Sequence, residues 1–297
     1  MVTATQLSSY LYCPRKLFLS SVLLVEVLPK QELVKGTIWH ETHEAINTSE
    51  EKIVCAIRTK DYKEIFDYYR RIYSKLLRNI IIKHKSELKE FNISMIDIFT
   101  DYWKSFEEEA KEHALNVVQF IERYEVYGKE LWERLTPKML SEQYFKSSRL
   151  KLTGIIDVLE VYDIDGRKIY VPIELKTGKY PDKGMWDGHK IQLAAYMLLL
   201  EEAGKLVKEA AIKYRGIDKR MLQMNTFLKE EVLDLITKTD KLLTSLDLPE
   251  HLENKTKCKT CQVRGVCYNQ DAMKKLLKEA ESRIKVSVQN VPTYLTY

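Results

Sequence analysis

The sequence predicts an α/β fold in which a strand-rich region with its own helices is joined to a helical subdomain. Three observations carry this. Glycine and proline are scarce, at 10 and 7 residues, so turns are few and helices dominate. From about residue 50 to 138 apolar residues recur at helical spacing. From about residue 140 β-rich runs and a turn dipeptide replace that pattern. A chain of 297 residues suits one large domain or two modest ones and can bury a real core.

Taken in order, residues 1–48 hold two partly buried helices, one around TQLSSYLYCPRKLFLSS and one beginning near VKGTIWHETHEAI. Residues 49–139 form a helical insert, with Ile65, Tyr69, Ile72 and Leu76 on one stripe and Phe106, Ala110, Ala114 and Val117 on another. In 140–228, LKLTGIIDVLEVY and KIYVPIELK are antiparallel strands joined by DIDGR, whose Asp165-Gly166 pair signals a hairpin. DGHKIQLAAYMLLLEEAG then reads as an amphipathic helix ending at Gly204, followed by strands at EAAIKYRG and RMLQMNTF. The last segment, 229–297, opens with the helix KEEVLDLITKTDKLLTSL and leads into the cysteines. No internal repeat or low-complexity tract interrupts this order.

The net charge of +5 is mild, so nucleic-acid affinity must come from a local groove rather than a whole-protein field. The 31% of charged residues, chiefly Lys and Glu, has the balance reported for heat-adapted proteins. The apolar run LAAYMLLL at 193–200 is too short to span a bilayer, and SSVLLVEVL is broken by Glu26. A soluble, cytoplasmic protein is expected. Five cysteines in so long a chain do not make a secreted disulfide framework, which favours clustered metal ligands.

Glu174 and Lys176 lie two apart on a strand and share a face, with Ile173 and Leu175 on the opposite one. Asp157, an acid inside the apolar run GIIDVLE, is costly there unless it meets a cation. The hairpin brings it beside Glu174. Two carboxylates for a hard divalent cation plus one ammonium suit hydrolysis of a phosphodiester. An isolated ExK triplet is usually a surface ion pair; the acid on the preceding strand, the hairpin and the following helix favour the catalytic reading. HETHE spaces its histidines three apart rather than four and is no zinc-protease helix.

Cys258, Cys261 and Cys267 form CxxCx5C, a spacing that brings thiolates to one metal. Cys13 and Cys55 are the candidates for a fourth ligand. All-cysteine ligation fits structural zinc or an iron–sulfur cluster, and spacing does not choose between them.

Together these residues resemble the RecB-like branch of the PD-(D/E)xK nucleases, which implies a restriction-endonuclease-like core, a small mixed sheet flanked by helices. The pattern of that branch is matched by His40 in GTIWHE, by Gly154 to Asp157, by Glu174 to Lys176, and by Gln192 with Tyr196 in QLAAY. The resemblance implies that His40, Asp157 and Glu174 bind the divalent cation, Mg²⁺ or Mn²⁺, with the backbone carbonyl of Leu175. It makes Lys176 the catalytic lysine, and Gln192 and Tyr196 supports for DNA and the active site. One upstream cysteine with three near the C-terminus is similar to the CRISPR-associated RecB-like nucleases of spacer acquisition. This selects Cys13 over Cys55 and implies a [4Fe-4S] cluster that clasps the two ends of the chain.

The function so implied is a metal-dependent exonuclease on single-stranded DNA ends or overhangs, which trims prespacers alongside CRISPR integrase proteins. Lys151, Lys179, Lys183, Lys190, Lys213 and Arg215 are expected along the DNA backbone, and Tyr180, Trp186 and Tyr196 against the bases. Two other readings stand beside it: a repair or viral DNA-end nuclease with the same chemistry, and a cluster-bearing scaffold without turnover.

Overall fold

The computed structural model describes residues 1–27, 31–252 and 255–289; positions 290–297 of the expected C-terminal segment lie outside the described residues. The chain begins with β1 (Val2–Thr3), α1 (Ala4–Tyr12), α2 (Pro14–Ser21) and α3 (Gln31–Ala56). Next come α4 (Tyr62–Lys83), α5 (Lys85–Glu90), α6 (Met95–Tyr124) and α7 (Gly128–Arg134). The sheet region holds β2 (Lys138–Ser147), β3 (Leu152–Ile164), β4 (Arg167–Lys176), α8 (Asp187–Glu202), β5 (Leu206–Val207), β6 (Glu209–Tyr214) and β7 (Arg220–Gln223). Last are α9 (Thr226–Thr244), α10 (Lys255–Lys259), α11 (Arg264–Cys267) and α12 (Gln270–Gln289).

Local chemistry explains several boundaries. Thr3 and Gln6 close a reciprocal capping box at the start of α1. Cys13 ends α1 and caps α2, with Pro14 at the first helical position, where no N–H is needed. At the β3–β4 turn Asp165 and Gly166 both have positive φ, 53° and 79°, as a two-residue hairpin requires.

The sheet is mixed. The main path runs β1-β3-β4-β6-β7, with β2 also paired to β3 and β5 to β4. β3 is antiparallel to β2 and β4, whereas β4 and β6 run parallel through the α8 crossover. One core cluster joins Val158, Ile173 and Leu175 to α3, α4 and α6; a second joins Ile156, Leu159 and Ile212 to α1, α8 and α9. A third gathers α2, α9 and the cysteine segment.

Three differences from the sequence reading have physical causes. β2 is half exposed and its alternation is polar on one side, so hydrophobicity alone does not announce it. α8 is buried on every side from Ile191 to Leu200, because α1 and α9 cover the flank that an amphipathic helix would leave to water. α3 runs unbroken from residue 31 to 56, so one helix crosses position 48 and ties the first segment to the helical insert. Among the described residues, no helix is long and apolar enough to cross a membrane.

Candidate active site

Asp157 lies on β3 between residues paired to Ser141 and Gln143, so it stands across from Glu142 of β2. Glu142 has φ of 51°, a left-handed conformation uncommon for a non-glycine residue and unusual in a strand. Here the β2 ladder breaks and the two acids meet. His40 of α3 points into the gap, its Nδ1 3.5 Å from Asp157 Oδ1 and 3.9 Å from Glu142 Oε1. One ligand atom from each of His40, Glu142 and Asp157 falls within 4.8 Å of the others.

On β4, one Asp157 carboxylate oxygen accepts a 2.7 Å hydrogen bond from Leu175 N. The Leu175 backbone also lies against His40, where its hydrogen bond opposes the lowering of the imidazole pKa by burial. Glu174 is only 2% exposed. Its Oε1 accepts from Gln192 Nε2 at 2.8 Å and contacts the Lys176 ammonium. Gln192 Nε2 also donates to Tyr196 OH at 2.8 Å. Glu174 Oε2 is buried and has no hydrogen-bond partner.

The electrostatics of the site follow from burial and crowded charge. Burial and the neighbouring Glu174 carboxylate push Asp157 well above the usual carboxylate range, although Leu175 N–H and Lys176 oppose them. Burial lowers His40, leaving the neutral imidazole favoured. Burial also pulls Lys176 down, but Glu174 outweighs it and keeps the ammonium charged. Crowded carboxylates, an orphaned Glu174 oxygen, a neutral histidine and a backbone carbonyl form an oxygen-rich donor set that fits a divalent cation.

The structure thus brings His40, Asp157, Glu174, Leu175, Lys176, Gln192 and Tyr196 together. Gln192 and Tyr196 are 3% and 2% exposed, and Gln192 meets both Glu174 and Tyr196 from within the core. Lys213 is tucked against buried Glu109 and is unsuited to a phosphate track. Arg215 pairs with Asp101, Lys151 with Asp240 and Lys190 with Asp187.

Sequence reasoning missed Glu142 and His189. Glu142 becomes visible only if KMLSEQYFKS is read as a strand opposite β3. His189, three residues before Gln192 and hence on the same helix face, contacts Tyr214 OH through Nδ1 at 2.9 Å. Burial, helped by Lys176, pushes it down to about 4, so it is neutral beside Lys176.

A second cluster gathers residues from the N-terminal helices and the C-terminal segment. Cys13, Cys258, Cys261 and Cys267 line one small cavity with Arg15, His251 and Tyr268, and none is in a disulfide. Arg15 is 7% exposed and donates from Nε to Cys267 Sγ at 3.2 Å, linking positions 252 residues apart. Burial pushes the Cys267 thiol up, Arg15 opposes this, and the other thiolates add to it. Converging unpaired thiols fit a thiolate-bound metal or cluster. Cys55 lies at the end of α3, outside this cavity.

The sequence profile described as the PD-(D/E)XK nuclease superfamily matches residues 1–268. A protein named CRISPR-associated exonuclease Cas4/endonuclease Cas1 fusion, from Leptospira interrogans serogroup Icterohaemorrhagiae serovar Lai (strain 56601), is 29% identical over 153 residues, 47% of this chain and 27% of that one. CRISPR-associated exonuclease Cas4 of Rhodospirillum rubrum is 32% identical over 127 residues, 41% of this chain and 36% of that one. A second Cas4/Cas1 fusion, from Geobacter sulfurreducens, is 30% identical over 125 residues, 41% of this chain and 22% of that one. The matches therefore span between 22% and 36% of these relatives' own length.

Proposed function

The chain belongs to the PD-(D/E)XK nuclease superfamily, and we propose that it is a divalent-metal-dependent deoxyribonuclease that trims single-stranded DNA ends. The observation that carries this reading is the Asp157–Glu174–Lys176 cluster with the unpartnered, buried Glu174 Oε2. A divalent cation held there by His40, Glu142, Asp157, Glu174 and the Leu175 carbonyl would supply an activated water and neutralise charge on the phosphate. Lys176 orients the nucleophile and stabilises negative charge as it develops. Gln192 fixes the Glu174 rotamer and, through Tyr196, locks α8 against β3 and β4. No covalent nucleophile on the protein is needed.

The four converging cysteines are read as ligands of a [4Fe-4S] cluster with a structural role, supported by their geometry and by the motif order. Relatives named as fusions of an exonuclease and an endonuclease Cas1 support a role in prespacer processing with an integrase of that type as partner.

The test is cleavage of 5′- and 3′-labelled single-stranded and splayed DNA by anaerobically purified protein with Mg²⁺ or Mn²⁺. Ladders growing from one end are expected, and Glu174→Ala should reduce the rate by at least about 100-fold. Cleavage unchanged in Glu174→Ala would remove the catalytic assignment. No cleavage by cluster-loaded protein would leave a binding scaffold.

A further inference from the structure

The loop between β4 and α8 is built around one guanidinium. Arg220 of β7 donates through Nη1 to Pro181 O at 2.7 Å and to Gly184 O, and through Nη2 to Asp182 O at 3.4 Å. Its guanidinium lies 5.5 Å from the Tyr180 ring centre and 5.7 Å from that of Tyr214. Trp186 closes the loop by donating from Nε1 to Lys179 O at 3.0 Å. A surface loop of this kind usually leaves its carbonyls to water. Here they are held by the protein, and the indole stays 49% exposed.

The loop also touches β6, the strand paired with the one that carries Lys176. Tyr214, against which the Tyr180 ring packs at 5.7 Å, sits in register with Lys176. Its hydroxyl receives Trp186 N at 3.5 Å and meets His189 at 2.9 Å. Lys179 and Lys183 are exposed on the same loop. An exposed aromatic face flanked by cations and fixed beside a phosphodiester site matches the chemistry of an unpaired nucleotide, since every base offers a π-face. A rigid loop lowers the ordering cost of binding.

We propose that loop 179–186 is a preorganised stacking platform for single-stranded nucleic acid, with Trp186 as its stacking face and Arg220 as the residue that positions it. This rests on the nuclease reading and adds how the substrate strand is held. Recognition by stacking is tolerant of sequence and demands an unpaired base, so the platform selects strands for being single rather than for what they spell.

The experiment is fluorescence anisotropy with a labelled twelve-residue oligothymidylate, and with an abasic oligomer of equal length, in metal-free buffer. Trp186→Ala should weaken oligothymidylate binding by about 5- to 100-fold and leave binding of the abasic oligomer within about twofold. Trp186→Phe should retain most of the affinity but lose the quenching of indole emission that oligothymidylate produces in the natural protein. Arg220→Ala should behave as Trp186→Ala on both oligomers. Equal binding of oligothymidylate by Trp186→Ala and the natural protein overturns the platform alone, as does an equal loss on both oligomers. A natural protein that neither binds the oligomers nor cleaves DNA overturns the nuclease reading, and the platform with it.

Discussion

Gly154 shows why one small residue belongs in the motif. A Cβ placed there would lie 2.9 Å from Tyr196 Cε1 and 3.0 Å from Leu199 Cδ1, so β3 and α8 approach as they do only because that atom is missing. Tyr196 in turn receives the Gln192 amide that braces Glu174. Gly154→Ala is expected to destabilise the protein by about 1–3 kcal/mol through overpacking, measured as a lower urea midpoint with unchanged slope. An unchanged midpoint would mean that the ring yields freely. At this scale much of the candidate site was legible in the sequence, because an acid in an apolar run and polar pairs at strand and helix spacing are local signals. Glu142 was not: its role depends on a positive φ and on a partner strand, neither of which an isolated glutamate reveals.

At the scale of elements, α3 works on two sides. His40 faces the acids and Asn47 donates to Ser141 of β2, while His43 and Glu50 meet the helical insert at Glu109, Tyr69 and His113. There Glu109 of α6 lies 3.4 Å from His43 and against Lys213 of β6, the residue in register with Leu175. The insert thereby joins the helix that carries His40 to the strand beside Lys176. His84 provides a pH test of this packing. Burial pulls its pKa down, but hydrogen bonds to Glu87 and Glu41 outweigh that and raise it. A raised folded pKa gives stability that is fully present below the unfolded value, near 6.5. That stability is lost as pH rises through the folded value. With partly exposed partners the effect should be at most about 1 kcal/mol. His84→Gln should flatten the pH dependence of unfolding across that window; an undiminished slope would assign it to other groups. The long insert helices were visible from their stripes, whereas β2 and the full burial of α8 were not, since both depend on what packs against them.

For the whole molecule, the cysteine centre joins the first helices to the C-terminal segment around the sheet. A metal held there would close a long loop, which restricts the unfolded chain and makes metal binding part of the folding free energy. Cys13→Ser should abolish stoichiometric iron and sulfide and lower Tm by roughly 5–10 °C. Unaltered metal content would exclude Cys13 as a ligand, and zinc in place of iron would replace the cluster by a structural zinc site. By itself the sequence determined the α/β class, the hairpin, the order of the site residues and which cysteines have ligand spacing. Those follow from periodicity, turn chemistry and motif order along the chain. The tertiary structure alone decided that β4 and β6 lie parallel, that Glu142 and His189 join the site, that Lys213 is withdrawn from the surface and that Arg220 holds the aromatic loop. Each of these depends on contacts between residues far apart in sequence, and long-range register and burial are properties of packing that no local pattern encodes.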